Sequence, residues 1–398
     1  MHERLQQQDR QTYDPELLQP NKSFQDSITA LLDSLGLEAY KKSQKHVLAL
    51  GLSYNPGRKL FTYNRVEGLL LAAGANLKVG DNGPRLELQA GYAFGSERFR
   101  HHEALRIPLP PHDQGLAVEV YYEGRVLAYG ANRPLLNGVR ALVGGEDAQD
   151  YLERQGGGAL LHWDPKRWLG IDAGYEAGDE KNVAVTTDFS LFGDMEDVNA
   201  PIDTGVDRRA VVGLDLGTLA REHWRLRARH WISGGGLGGD FVYNRTDLGF
   251  SARRYFGRQE FFLQTVYVRT GGDTPVQRLA DVGGLTSVRG FRRRAQVGTS
   301  AFTASLEYYV PYDLLEATRL PVLCRAQLQF VPWADAARTW DGATDVWIQS
   351  AGIGVQRFLG AFQGFAQVSY LRFDFAFPLG PDRPADVRFE LYFAGGLF

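Results

Sequence analysis

From His46 to the C-terminus the residues change character at every second position, and that alternation constrains the fold more than any other feature. In the stretch 300–311, Phe302, Ala304, Leu306, Tyr308 and Val310 fall on one face, and Thr303, Ser305, Glu307 and Tyr309 on the other. In the stretch 223–234, Trp224, Leu226 and Ala228 oppose Arg225, Arg227 and Arg229. Three arginines on one strand face cannot sit in a dry core, whereas a hydrated interior accepts them. The pattern predicts an all-β chain: a 16-stranded antiparallel transmembrane β-barrel, apolar outward and polar inward. The sixteen strands are expected near 46–55, 62–79, 84–95, 98–107, 115–128, 155–164, 168–180, 207–218, 223–234, 240–256, 259–271, 300–311, 321–333, 346–359, 362–377 and 386–397.

The connections between these strands alternate in length. Short links fall at Gly80–Gly83, Pro108–Gln114, Pro165–Arg167, Thr218–Glu222, Gly257–Arg258, Tyr312–Leu320 and Gly360–Ala361, and the long ones at 129–154, 181–206, 272–299 and 334–345 lie between them. An up-and-down barrel with short turns at one end and loops at the other has this signature, and a β-sandwich or propeller does not need it. The high glycine count (46) and 12% aromatic content suit many tight turns and interfacial aromatic girdles.

Residues 1–45 form a separate segment, polar to Pro20 and then carrying Phe24, Ile28, Leu31, Leu32 and Leu35 at helical spacing. One short amphipathic helix is expected there, packed on the periplasmic rim, ahead of a barrel over 46–398. No apolar run approaches the roughly 18–20 residues of a transmembrane helix. Met1-His2-Glu3-Arg4 lacks the apolar core of a signal peptide, so an exported protein would be represented here in processed or trimmed form. Cys324 is the single cysteine, so no disulfide within the chain and no cysteine-based metal site is expected. A net charge of −3 leaves no footprint for nucleic acid.

A search for catalytic patterns finds no Gly-x-Ser-x-Gly, His-Glu-x-x-His, phosphate loop or Asp-rich calcium loop, so neither an enzyme nor a cofactor is expected. His101, His102 and His112 read as rim or loop histidines rather than metal ligands, and Asp172, Asp188 and Asp215 show no useful spacing. Arg65 and Glu67 share a strand face and could pair across it. Arg292, Arg293 and Arg294 read as a solvated run, with contact to lipopolysaccharide phosphate or substrate as the sharper alternative.

Between the eleventh and twelfth strands lies Gly283-Gly284-Leu285-Thr286-Ser287-Val288-Arg289-Gly290-Phe291. This resembles the loop-six signature of the Omp85 superfamily, in the same inter-strand slot. Ala304 to Pro311, with Glu307 on the polar face, is similar to that family's twelfth strand. Trp333-Ala334-Asp335-Ala336-Ala337 resembles its Phe-x-Asp-x-Gly motif, with Trp and Ala replacing Phe and Gly. Tyr63-Asn64-Arg65-Val66-Glu67-Gly68-Leu69 looks like a second-strand motif of Omp85-like barrels with short N-termini, and the terminal Phe398 resembles the aromatic C-terminal signal of outer-membrane barrels. Phe398 has the opposite parity from Phe393, so a bulge at Gly395-Gly396 is expected.

The resemblance implies that loop six folds into the lumen and that Arg289 docks on Glu307 and Asp335. It also implies a bacterial outer-membrane location among lipid and lipopolysaccharide. The expected activity is insertion or translocation of unfolded polypeptide clients, with periplasmic accessory proteins as possible partners. The family's periplasmic POTRA modules, roughly 75 residues each, do not fit in 1–45. A passive pore or surface antigen is the alternative from another class, and a barrel anchoring a separate passenger is a third.

Overall fold

The structure is a computed structural model that describes residues 46–49, 61–79, 83–110, 115–129, 134–145, 147, 149–193, 195, 198–219, 222–284, 287–311, 328–342, 345–358, 370–380 and 388–394. The expected N-terminal helix, His112, the Gly395-Gly396 bulge, Cys324 and Phe398 lie outside the described residues. The chain divides into two compact units, Met1–Leu48 with Lys78–Gly83, and Ala49–Leu77 with Pro84–Phe398. The second carries the features on which function turns.

Strand β1 is His46–Ala49, β2 Phe61–Asn64, β3 Gly68–Val79, β4 Arg85–Ala93, β5 Arg98–Pro108 and β6 Leu116–Tyr129. Helix α1, Pro134–Gly144, leads into β7 Asp150–Lys166, β8 Leu169–Asn182, β9 Gly205–Leu216, β10 Trp224–Ser233, β11 Val242–Phe256 and β12 Gln259–Asp273. Two short strands, β13 Ala280–Val282 and β14 Gln296–Gly298, make a hairpin of their own. The chain then enters β15 Ser300–Tyr309, β16 Leu328–Trp340, β17 Asp345–Phe358, β18 Tyr370–Leu379 and β19 Arg388–Ala394. Each long strand pairs antiparallel with the next, in unbroken order from β4 to β12 and, past the hairpin, from β15 to β19. The result is one large antiparallel sheet with little helix.

Most strands run within a few residues of where alternation puts them, and four regions differ. The stretch 62–79 is broken by a turn at Arg65–Glu67, because Asn64 Oδ1 accepts the backbone N–H groups of Val66 (3.1 Å) and Glu67 (2.8 Å). The strand expected at 321–333 is described at Leu328–Trp340, which places Asp335 inside a ladder and removes the long link at 334–345. The link 129–154 contains α1 and the start of β7, and 272–299 contains the β13–β14 hairpin.

Burial inverts the usual order of a globular protein. Phe99, Val120, Leu161, Val212, Leu306, Phe375 and Phe377 are exposed, while Arg65, Glu123, Asp150, Arg154, Glu180, Asp207, Asp335 and Asp374 are at most 4% exposed. The two sets lie on opposite faces. In β18, Phe373, Phe375, Phe377 and Leu379 alternate with the buried Arg372, Asp374, Ala376 and Pro378. Leaving large apolar groups in water costs roughly 1.5–3 kcal/mol each, so a sheet built this way needs an apolar surrounding on its outer face.

Candidate functional site

The segment between β12 and β15 lies on the polar face and is braced by hydrogen bonds of its own as well as by contacts with the sheet. Gly284 N–H donates to Phe291 O (3.1 Å), Ser287 N–H to Gly284 O (3.1 Å), and Gly283 N–H to Ser287 Oγ (2.9 Å). This tight loop offers Ala280, Val282, Val288 and Phe291 to Ala301, Ala337 and Ile348 of β15, β16 and β17, forming a buried apolar knot on an otherwise polar face. Gly290 has φ +85°. A Cβ there would stand 3.0 Å from the Ala376 Cβ, so only glycine lets the loop lie flat on β18.

Arg289 is 4% exposed and uses nearly all its donors. Its backbone N–H (3.0 Å) and Nε (2.8 Å) donate to Asp335 Oδ2, and Nη2 donates to Asp335 Oδ1 (2.8 Å), the two-pronged geometry that guanidinium and carboxylate favour. Nη1 reaches Glu307 Oε1 (2.8 Å) and Asp374 Oδ2 (3.0 Å), and Nη2 also reaches Ser305 Oγ (3.1 Å). The guanidinium stacks 3.8 Å from the Trp333 ring centroid. Arg372 supplies a second cation, donating to Glu307 (3.0 Å) and Asp374 (2.9 Å), and Tyr309 OH donates to Glu307 Oε2 (2.7 Å). The sheet register explains the convergence: Ser305 faces Asp335, Glu307 faces Trp333, and Trp333 faces Gly352. A side chain at Gly352 would overlap the Trp333 indole, so that glycine keeps the ring flat beneath the arginine.

The structure thus brings together Arg289, Glu307 and Asp335, with Gly283, Gly284, Val288, Gly290 and Phe291 shaping the loop that carries the arginine. Asp374, Arg372, Ser305 and the stacking of Trp333 were not foreseen. Parity alone puts Arg372 and Asp374 on the polar face, but nothing local says that β18 passes under loop six.

Loop six is tied down at two more places. In the turn Val276–Arg278, Arg278 pairs with Glu180 and with Asp207 (3.0 Å) and donates to Tyr243 OH (3.2 Å), while Gln277 donates to Glu180 Oε2 (3.1 Å). Surrounding carboxylates hold the Arg278 guanidinium above its ordinary pKa against the opposing effect of burial. Beyond the motif, Arg293 and Arg294 both reach Asp150 Oδ2, at 2.7 and 3.4 Å. They are therefore not part of a solvated run; of the three, only Arg292 is exposed. Burial pushes the Asp281 carboxyl above its usual range, Arg294 and Arg245 opposing it only in part.

Asp150 also receives Arg65. The Arg65 backbone N–H donates to Asp147 Oδ2 (2.8 Å), and its fully buried side chain donates from Nη1 to the Asp147 carbonyl (2.5 Å) and from Nη2 to Asp150 Oδ1 (3.1 Å). Arg65 and Glu67 do not pair with each other, because the Asn64 turn sends them apart. Glu67 accepts from Arg100 Nε (2.7 Å) and sits, by burial, above the usual carboxylate range. His101 and His102 occupy opposite faces of β5 rather than a rim, with His102 buried against Glu123 (3.1 Å). Among the described residues no group of three or more His, Cys, Asp or Glu is placed to hold a metal.

These anchors show that the sheet curls. Arg289 grips β16 and Arg293 grips β7, and about seven inter-strand steps separate those strands, or roughly 34 Å on a flat sheet. Four residues of extended backbone span only about 14 Å, and residues 288–291 are not extended, Phe291 N–H donating to Val288 O (3.4 Å). Even with the reach of the side chains at the two ends, about 20 Å together, the polar face bends round the loop for both grips to hold.

At the short-turn end of β8–β10 the same face is open. Arg225 pairs with Asp215 through Nε (2.8 Å) and Nη2. Arg227 and Arg229 come no nearer than 3.7 Å to Asp215 and 4.0 Å to Asp172, with side chains 62% and 61% exposed.

No family model matches the chain, and no curated protein matches it in sequence. Solved structures do. BamA from Haemophilus ducreyi lacking POTRA domains 1–3 is similar over 90% of this chain and 77% of that one, with 14% identity and a TM-score of 0.56. CdiB from Acinetobacter baumannii matches over 82% and 56%, at 11% identity and TM-score 0.43, and Pseudomonas aeruginosa OccK5 over 80% and 90%, at 13% and 0.33. At this level of identity the likeness to BamA is one of fold: a large antiparallel sheet shared across nearly the whole chain.

Proposed function

We propose that this chain is a bacterial outer-membrane β-barrel of the Omp85 type, sixteen-stranded and closed, that inserts or translocates unfolded polypeptides. The observation that carries the reading is Arg289, held in a buried cage of Glu307, Asp335 and Asp374 by a loop folded onto the polar face. A fixed plug in a curled, inside-out sheet suits a barrel whose interior must stay sealed while its strands engage a client.

The exposed aromatics fit the membrane. Phe256, Phe261 and Tyr308 cluster on the outer face near the short turns, and Trp340 and Trp347 flank Arg338 at the other end, as interfacial belts do. The fold likeness to BamA points the same way. In this reading, clients would template on the edge hydrogen bonds of the first and last strands. The decisive assay seeds liposomes with purified protein and times insertion of an unfolded barrel client. Insertion no faster than in empty liposomes would remove the insertase claim. The exposed Arg227 and Arg229 favour one second reading, a passive pore with anion preference, which planar-bilayer conductance tests.

A further inference from the structure

We infer that the turn-end half of the polar face is a docking strip for an extended acidic polypeptide, with Arg225, Arg227 and Arg229 as its ladder. The inference relies on the barrel reading only for a hydrated interior, not for insertase activity.

Three observations converge on it. First, the donors are unspent: neither Arg227 nor Arg229 makes a hydrogen bond to a carboxylate, and both are mostly exposed, although they lie on the same polar face as the buried, paired Arg289 and Arg372. Second, the space beside Arg227 is open. Register sets Gly249 opposite Arg227, and a Cβ added there would meet nothing within 4 Å, whereas one at Gly213, opposite Arg229, would touch Asp172 (3.2 Å) and the Arg229 side chain itself (3.7 Å). Third, the turn Val276–Arg278 lies across the long-loop end of β8 and β9, held by Arg278 on Glu180 and Asp207, which leaves the short-turn end as the freer approach to the ladder.

The spacing selects the occupant. Alternate residues of one strand stand about 6.8 Å apart, which is also the interval between carboxylates on alternate residues of an extended peptide. A small oxyanion is better held by donors converging on one point, whereas these three are strung along a line. An extended chain with Glu or Asp at every second position matches them in register, its remaining side chains pointing to the open water of the interior. Asp215 and Asp172 give the ladder its selectivity. They weaken attraction for a lone anion, yet leave two guanidinia for a ligand that engages both at once.

The test uses the full chain in zwitterionic detergent micelles and fluorescence anisotropy with a labelled peptide of alternating Glu and Thr. Binding is expected to weaken at least about tenfold in the Arg227→Gln/Arg229→Gln double variant. It should also weaken for a peptide of the same composition with its glutamates in one block. A heat-modifiability shift on a gel verifies that the variant remains folded, and an Arg254→Gln/Arg338→Gln double variant on the outer face serves as a control of equal charge change. Equal binding by wild type and double variant, with folding intact, overturns the ladder. Tighter binding of inorganic polyphosphate than of the alternating peptide, with the same dependence on Arg227 and Arg229, overturns the choice of a polypeptide. Either result leaves the liposome assay untouched, so failure here is distinguishable from failure of the insertase reading.

Discussion

Under loop six, Arg65, Asp150, Glu180 and Asp207 are at most 2% exposed and each is closed by short ion pairs, whereas at the turn end of β10 the Arg227 and Arg229 side chains are about three-fifths exposed and scarcely paired. Both sets occupy the polar face of one sheet and draw on the same residue types. The difference is that a loop covers one set. Where loop six lies down, charges lose water and must find partners, so Arg65, Arg278, Arg289 and Arg293 each meet at least one carboxylate. Where it does not, water screens the charges and pairing contributes little. Coverage, and not composition, decides which ions carry structural consequence.

The comparison can be broken most directly at Arg289. Arg289→Ala strands Glu307, Asp335 and Asp374 with Arg372 as the remaining guanidinium of the cage. It should cost about 3–5 kcal/mol of loop docking, seen as rapid tryptic cleavage after Arg292 and a lower heat-modifiability midpoint. Unchanged cleavage would mean the cage does not hold the loop. Asp150→Asn removes the charge that Arg65, Arg293 and Arg294 share and should cost about 2–4 kcal/mol, read by the same cleavage. Gly352→Val forces Trp333 out from under Arg289, for about 1–3 kcal/mol. Trp fluorescence in that variant should report a wetter indole.

A pH dependence sharpens the contrast further. Asp281 and Glu67 have pKa values raised in the folded state, so that state binds more protons than the unfolded one between the ordinary carboxylate range and the raised values. Their contribution to stability is therefore present at low pH and declines as pH rises through those values. Asp281→Asn should flatten the slope in a pH series of loop cleavage. Arg227→Ala at the turn end should move the unfolding midpoint least of all, within about 0.5 kcal/mol. A large shift there would show that the open half is not open.

Much of this architecture was legible from alternation, since a period of two assigns every residue of a strand to a face once one residue is assigned. Alternation places β11, β12 and β15 within a few residues and puts Glu307 on the polar face, whereas Arg289 and Asp335 come from the resemblance of their motifs, Asp335 in a stretch expected as a link and found in β16. What alternation cannot carry is distance across the sheet. Asp374 and Arg372 have the right parity, but their approach to Arg289 depends on curvature, which no local pattern encodes. Arg65 and Glu67 looked like partners because a continuous strand was assumed through Asn64. One side-chain oxygen capping two backbone N–H groups turned the chain and separated them. Arg293 and Arg294 looked solvated because Asp150, their partner, lies more than 140 residues earlier in the chain.

That last separation bears on the order in which the molecule is completed. Asp150 joins Arg65, 85 residues before it, to Arg294, 144 residues after it, and Arg289 meets Asp374 another 85 residues on. Contacts that close loops of this length form after local pairing, because the chain entropy they consume is repaid only once both ends are already held. Hairpins such as β11–β12 can zip early, while the loop is seated among the final events. A chain of this design therefore passes through a stage with its strands aligned and the polar face still uncovered.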